Sequence, residues 1–287
     1  MLIIAVSWGC GGSSSGGDND NDTGTVVKKK VSKDMIFGYI TSIPNPVEMS
    51  SLLQKSGVVY SQEFLNPSTN IRNYNTSVQK ALNLGVYGTD LVHMNIYDRT
   101  VSSVLYLKNI KDLANDLKIG QFFDYETLQR LAENSKNVDS VLYITSTGFD
   151  RMNKFLINDD RGEVSILIGY GTWIESLYLA TNVQRIENKE AVFNRLGGQQ
   201  KVMDNMMILL ESFKDDENFK PILKDAYELK KQFDRVKIVY NYVEPTRKEV
   251  NGSLVIIDNS SETVSIDDDI VKGIKEQVAL IRAKLIQ

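Results

Sequence analysis

The chain carries few side chains able to do chemistry at neutral pH: among its 287 residues there is one histidine, His93, and one cysteine, Cys10. A His-based zinc site needs more imidazoles, and a serine triad would have a single base to draw on. With its only thiol at position 10, the body has no disulfide, thiolate cage or thiol nucleophile. Carboxylates and aromatic rings remain. Asp90 precedes His93 by three residues, which makes them neighbours on a helix, so the acid could orient the imidazole as a base or ligand contact. Lys80 and Asn83 share that stripe with Asp90, His93 and Tyr97 and mark it as a solvent face. Glu175 interrupts the most apolar stretch of the chain. An ionised carboxylate there must be paired, hydrogen-bonded or neutralised, either by a base or tyrosine of another helix or beside a polar cavity.

Gly85, Gly88, Gly169 and Gly171 fall inside the same helical stretches, each at a cost of roughly 1 kcal/mol relative to alanine. Close helix crossing would explain them; so would room for a ligand beside Tyr87, Tyr170 and Trp173. Neither Gly-Val-Tyr-Gly nor Gly-Tyr-Gly follows a strand, so they are not phosphate loops. The candidate ligand contacts are therefore Tyr87, Asp90, His93, Tyr170, Trp173 and Glu175, with no catalytic set, no metal site and no cofactor expected. Met203, Met206 and Met207 read as core filler, and Asp267 to Asp269 as a helix cap with too few oxygens for calcium.

These residues need helices to hold them. Apolar residues recur at helical spacing from Val78 to Ile96, from Val101 to Leu117 with a stop at Gly120, and from Val138 to Leu156. Asp124 can cap a shorter helix carrying Leu128, Leu131 and Ala132. From Val164 to Val183 apolar side chains appear all round, the mark of a helix buried at the centre of a bundle, and Asp160 with Glu163 would make its capping box. Amphipathic patterns continue from Phe193 to Phe213, from Ile222 to Val243 and from Ile270 to Leu285. Before the last of these, Leu254 to Ile257 and Thr263 to Ile266 read as a small β-hairpin. From Lys28 to Asn75 only one short helix, Val47 to Lys55, is expected. The fold class is all-α: a compact bundle of about seven helices with a small β-hairpin before the last helix. With 42% apolar residues, the chain can build that core without staples.

The amino terminus has a different character. A short apolar run, Leu2 to Val6, leads through Ser7, Trp8 and Gly9 to Cys10, and the next residues, Gly11 to Asp22, are almost all glycine, serine, aspartate or asparagine. Such a stretch cannot bury enough apolar surface to offset its backbone entropy. The arrangement resembles the type II signal peptide of bacterial lipoproteins, whose cysteine is lipidated and becomes the mature terminus. That resemblance implies an outer-membrane lipoprotein of the cell envelope, on its periplasmic or surface face, held to the membrane by a lipid anchor on Cys10. The expected organisation is a signal segment over 1–10, a flexible linker over 11–34 and a single helical domain over 35–287. No Lys or Arg precedes the apolar run, so the reading frame is expected to begin further upstream. The motifs Leu-Gly-Val-Tyr-Gly-Thr-Asp-Leu at 84–91 and Gly-Tyr-Gly-Thr-Trp-Ile-Glu at 169–175 give the body a likeness to helical lipoproteins of unknown function from Gram-negative anaerobes.

Charge narrows the partners. Acidic residues number 37 against 33 basic ones, intermixed for a net charge of −4, with no basic block to neutralise a phosphate backbone; nucleic acid is not an expected partner. The expected role is a non-catalytic binding or assembly component with an envelope protein as partner. The alternative is a hydrolase that works through carboxylates alone on envelope or environmental glycans, since that chemistry needs neither His nor Cys.

Overall fold

The computed structural model describes residues 31–287 apart from 124–125, 127–129, 131–136, 184–186, 251–252 and 258. Cys10, the linker and the short helix expected after Asp124 lie outside the described residues. Ser32 opens the first helix, α1 (Lys33–Thr41), by accepting from the Met35 amide, and Ile36 and Ile40 are its buried face. The sequence pattern did not signal this helix. Asn45 caps α2 (Pro46–Lys55) in the same way, with Pro46 at the first turn where its missing N–H is not needed. Two 3-10 turns, Gln62–Phe64 and Ser68–Asn73, then carry the chain to α3 (Ser77–Ile96), which starts on a complete capping box between Thr76 and Gln79. α4 (Thr100–Asp116) follows, then α5 (Val138–Asn158), capped by Asn137.

The helix expected to be buried all round is α6 (Gly162–Thr181), and nearly every residue along it is shielded from solvent. Its start differs from the sequence reading: the N-cap is Arg161, without a side-chain cap bond. Asp160 is left-handed, with φ of 56°, and pairs with Lys33 at 2.7 Å. It closes the turn after α5, so the capping box with Glu163 does not form. α7 (Lys189–Gly197) and α8 (Gln199–Glu211) meet at Gly198, and α9 (Lys220–Phe233) follows. The stretch expected as one helix from Ile222 to Val243 thus ends at Phe233. Val236 and Ile238 beyond it still meet the core, but the chain forms a strand over Lys237–Asn241, and Val239, Tyr240 and Val243 stand exposed.

The hairpin before the last helix is present, with partners other than those the pattern suggested. β1 (Lys237–Asn241) pairs antiparallel with β4 (Ser261–Ser265), Lys237 opposite Ser265. β2 (Thr246–Val250) pairs with β3 (Ser253–Ile257), Thr246 opposite Ile257. The two ladders are separate two-stranded sheets. α10 (Asp268–Leu285) ends the fold; Asp267 accepts from the Ile270 amide at its start.

The architecture is all-α with this minor β element. α6 is its axis: α3 packs along it most extensively, α10, α5, α2 and α1 cover other flanks, and α4 backs α3. Two glycines set the α3–α6 distance. A β-carbon on Gly85 would stand 2.2 Å from the Ile168 carbonyl oxygen, and one on Gly171 would stand 2.0 Å from that of Leu82. The backbones touch where any side chain would hold them apart. Met203, Met206 and Met207 are buried core. Among the described residues no helix is long and apolar enough to cross a membrane.

Candidate functional site

The stripe of Asn83, Asp90 and His93 does not face solvent: Asn83 and Asp90 are 0% exposed and His93 is 5%. The irregular segment before α3 and the end of α10 fold over it, contributing polar groups that no periodicity announces. Asn66 is the hub. Its backbone N–H donates to Asp90 Oδ2 at 3.0 Å, its Nδ2 to Tyr74 Oη at 2.9 Å and Asn83 Oδ1 at 3.3 Å, and its carbonyl accepts from Tyr106 Oη at 2.9 Å. Asn83 Nδ2 donates to the Leu285 carbonyl at 2.7 Å and Asn70 Nδ2 to that of Ile286 at 3.0 Å. The open carbonyls at the end of α10 are thereby satisfied by side chains.

Asp90 and Glu175, placed on different helices, meet here. Glu175 is 0% exposed and accepts a two-pronged hydrogen bond from Arg282, Nε to Oε2 at 2.7 Å and Nη2 to Oε1 at 2.8 Å. Arg282 also donates to the Phe64 carbonyl at 2.8 Å and lies 4.0 Å over the Tyr178 ring. Arg282 is paired with Glu175, and Asp90 Oδ1 finds no donor among the described residues. Burial, reinforced by the charge of Glu175, lifts Asp90 well above the usual carboxylate range. Both effects favour the protonated form of Asp90.

The other sequence candidates take separate places. Tyr87 borders the acid cluster, donates to the Pro67 carbonyl at 2.9 Å and meets Tyr106 edge-on. His93 has Ser50 Oγ at 3.2 Å from Nδ1 and rings of Tyr60 and Tyr97 beside it; burial pushes it down to about 4, so it is a neutral imidazole. Tyr170 and Trp173 face α8 and α9, Trp173 donating to Gln199 Oε1 at 3.1 Å and stacking on Phe233. The Tyr170 hydroxyl is buried without a hydrogen-bond partner among the described residues, and burial raises its pKa. The structure thus joins Asp90, Glu175 and Tyr87 in one sealed network and separates His93, Tyr170 and Trp173 from it.

Arg282 was not singled out from sequence, although a signal existed. It stands four residues after Val278 and three before Leu285, on the buried stripe of α10, where a guanidinium needs a partner. Asn66 sits in a stretch without periodicity and gave no sign. Among the described residues no three His, Cys, Asp or Glu side chains gather as a metal-binding group.

Open space lies on the other side of α6. A cavity of about 200 Å³ opens between the turn joining α1 to α2 and the helices α5 and α6, with Asn45, Ser146, Phe149, Asp150, Asn153 and Gly169 in its wall. Beyond Phe149 a narrower apolar cleft of about 70 Å³ is bordered by Gly88 and Gly148, at neither of which a β-carbon would meet anything within 4 Å. The glycine pattern therefore divides: Gly85 and Gly171 serve helix crossing, while Gly88 borders space. No family model, curated protein or solved structure matches the chain.

Proposed function

We propose that this chain is a lipid-anchored component of a bacterial cell envelope, tethered through Cys10, that binds an envelope protein and catalyses nothing. The observation that carries the binding role is the β-ribbon. Val239, Tyr240, Tyr242 and Ile256 are each more than half exposed on it, and exposed apolar and aromatic surface of this kind marks a contact for another protein. The anchor is supported by the order of residues around Cys10 and by the glycine, serine and aspartate stretch after it. The hydrolase alternative draws no support from Asp90 and Glu175. Both are 0% exposed, whereas carboxylates flanking a glycosidic bond stand about 5–9.5 Å apart in an open cleft.

The test has two arms in the native host. A fatty-acid label should enter the chain and be lost from Cys10→Ala; equal label in both ends the anchor. Crosslinking on intact cells should give a defined partner that disappears when Val239, Tyr242 and Ile256 are changed together to Ser, substitutions that leave the buried core untouched. A partner retained by that variant removes the ribbon from the binding role.

A further inference from the structure

The cavity beside α5 has an uncommon wall. Ser146, Phe149, Asp150 and Asn153 follow one another at the spacing that puts them on one helix face, and all four line it. Most of that face is polar although it is turned toward the bundle. Asn153 is 4% exposed; its Oδ1 accepts from Ser165 Oγ at 2.5 Å, and its Nδ2 makes no hydrogen bond among the described residues. Because Asn153 lines the cavity, that donor is within reach of an acceptor that enters it. One turn back, Asp150 offers a carboxylate with neither a hydrogen bond nor an ion pair among the described residues, and Phe149 presents a half-buried ring beside it. Across the cavity Ile43 packs directly on Gly169, where a β-carbon would stand 2.7 Å from Ile43 Cδ1.

These groups define what can fill the space. The occupant must accept from Asn153 Nδ2 and donate to Asp150. An ammonium can only donate, and a phosphate would bring its negative charge against Asp150 with no Lys or Arg in the wall. A hydroxyl does both. Adjacent hydroxyls on a ring reach a carboxylate and an amide one helical turn apart, while the ring's C–H face covers Phe149. About 200 Å³ lies below the ~300–1,000 Å³ of sites for drug-sized molecules, so one ring fits and a chain of rings does not. From this geometry we infer that the cavity between α5 and the α1–α2 turn is a binding site for a single neutral, hydroxylated sugar ring. The site stands apart from the ribbon, so the two readings fail independently.

Ligand-observed NMR on the full chain tests it, with the methyl pyranosides of glucose, galactose and N-acetylglucosamine as probes and with choline and inorganic phosphate as competitors of other chemistry. At least one pyranoside should bind saturably in the millimolar range. Asp150→Ala and Phe149→Leu should each weaken it by about tenfold or more, the first leaving thermal unfolding unchanged and the second keeping a cooperative transition although Phe149 packs against the core. Binding by none of the pyranosides, binding of choline or phosphate in their place, or equal binding by wild type and both variants overturns the assignment.

Discussion

Two buried groups give this protein opposite pH sensitivities. Asp90 is raised, by burial first and by Glu175 next. The folded chain therefore holds a proton that the unfolded chain releases near the ordinary carboxylate value, and stability falls as pH rises from that value toward the folded one, at about 1.4 kcal/mol per pH unit. His93 is lowered by burial, from 6.5 to about 4. The unfolded chain takes up a proton that the folded chain refuses, so stability falls as pH drops through that window, by about 3 kcal/mol in all. Asp90→Asn keeps the shape without a charge to bury. It should be more stable than wild type at neutral pH and should flatten the alkaline side of the curve. His93→Gln should flatten the acid side. Urea unfolding from acid to mildly alkaline pH reads both; an Asp90→Asn variant with the wild-type slope would show that Asp90 is ionised in the fold.

At the level of elements, α3 and α6 are held at backbone contact, and the two glycine classes should respond to alanine with opposite signs. At Gly85 a methyl group would meet the Ile168 carbonyl oxygen, a backbone atom that cannot step aside. Gly85→Ala must therefore spread the two helices, at about 1–3 kcal/mol. Gly88 is one turn away and meets nothing within 4 Å, so Gly88→Ala should raise stability by roughly 0.5–1 kcal/mol through backbone entropy alone. Thermal melts of the pair decide the point: if both destabilise, the surroundings of Gly88 are filled, and if neither does, the crossing is looser than its geometry.

Across the whole molecule, the last helix closes a core begun some two hundred residues earlier. Ile270, Ile274, Val278, Ile281 and Leu285 are buried, and at about 1.5–3 kcal/mol each their burial rivals the ~5–15 kcal/mol net stability of a domain. Arg282 leaves with them, which strands Glu175 beside Asp90 in the interior. A chain ending at Asp267 should lose its cooperative unfolding transition. A chain in which a short turn replaces residues 242–260, whose described members lie outside the core, should keep it. Near-ultraviolet circular dichroism distinguishes them; a truncated chain that retained native ring signals would mean that α10 is an appendage.

Local periodicity carried the helices: α3, α4, α5, α6 and α10 follow from the spacing of their apolar residues, and Asp267 from its place before such a run, because a helix repeats every few residues whatever its neighbours are. Glu175 also announced itself, since a carboxylate amid Ile, Leu and Trp must find a partner. The partner's identity did not follow. Arg282, Asp90 and Asn66 are separated from Glu175 by 85 to 109 positions, and only packing brings them together. The same dependence hid the burial of His93, whose stripe contains a lysine and is sealed by a segment without pattern. It also decided where the helix after Pro221 stops: the periodicity runs past Phe233, but the core reaches only to Val236 and Ile238, and a backbone beyond it pairs with the strand that lies beside it.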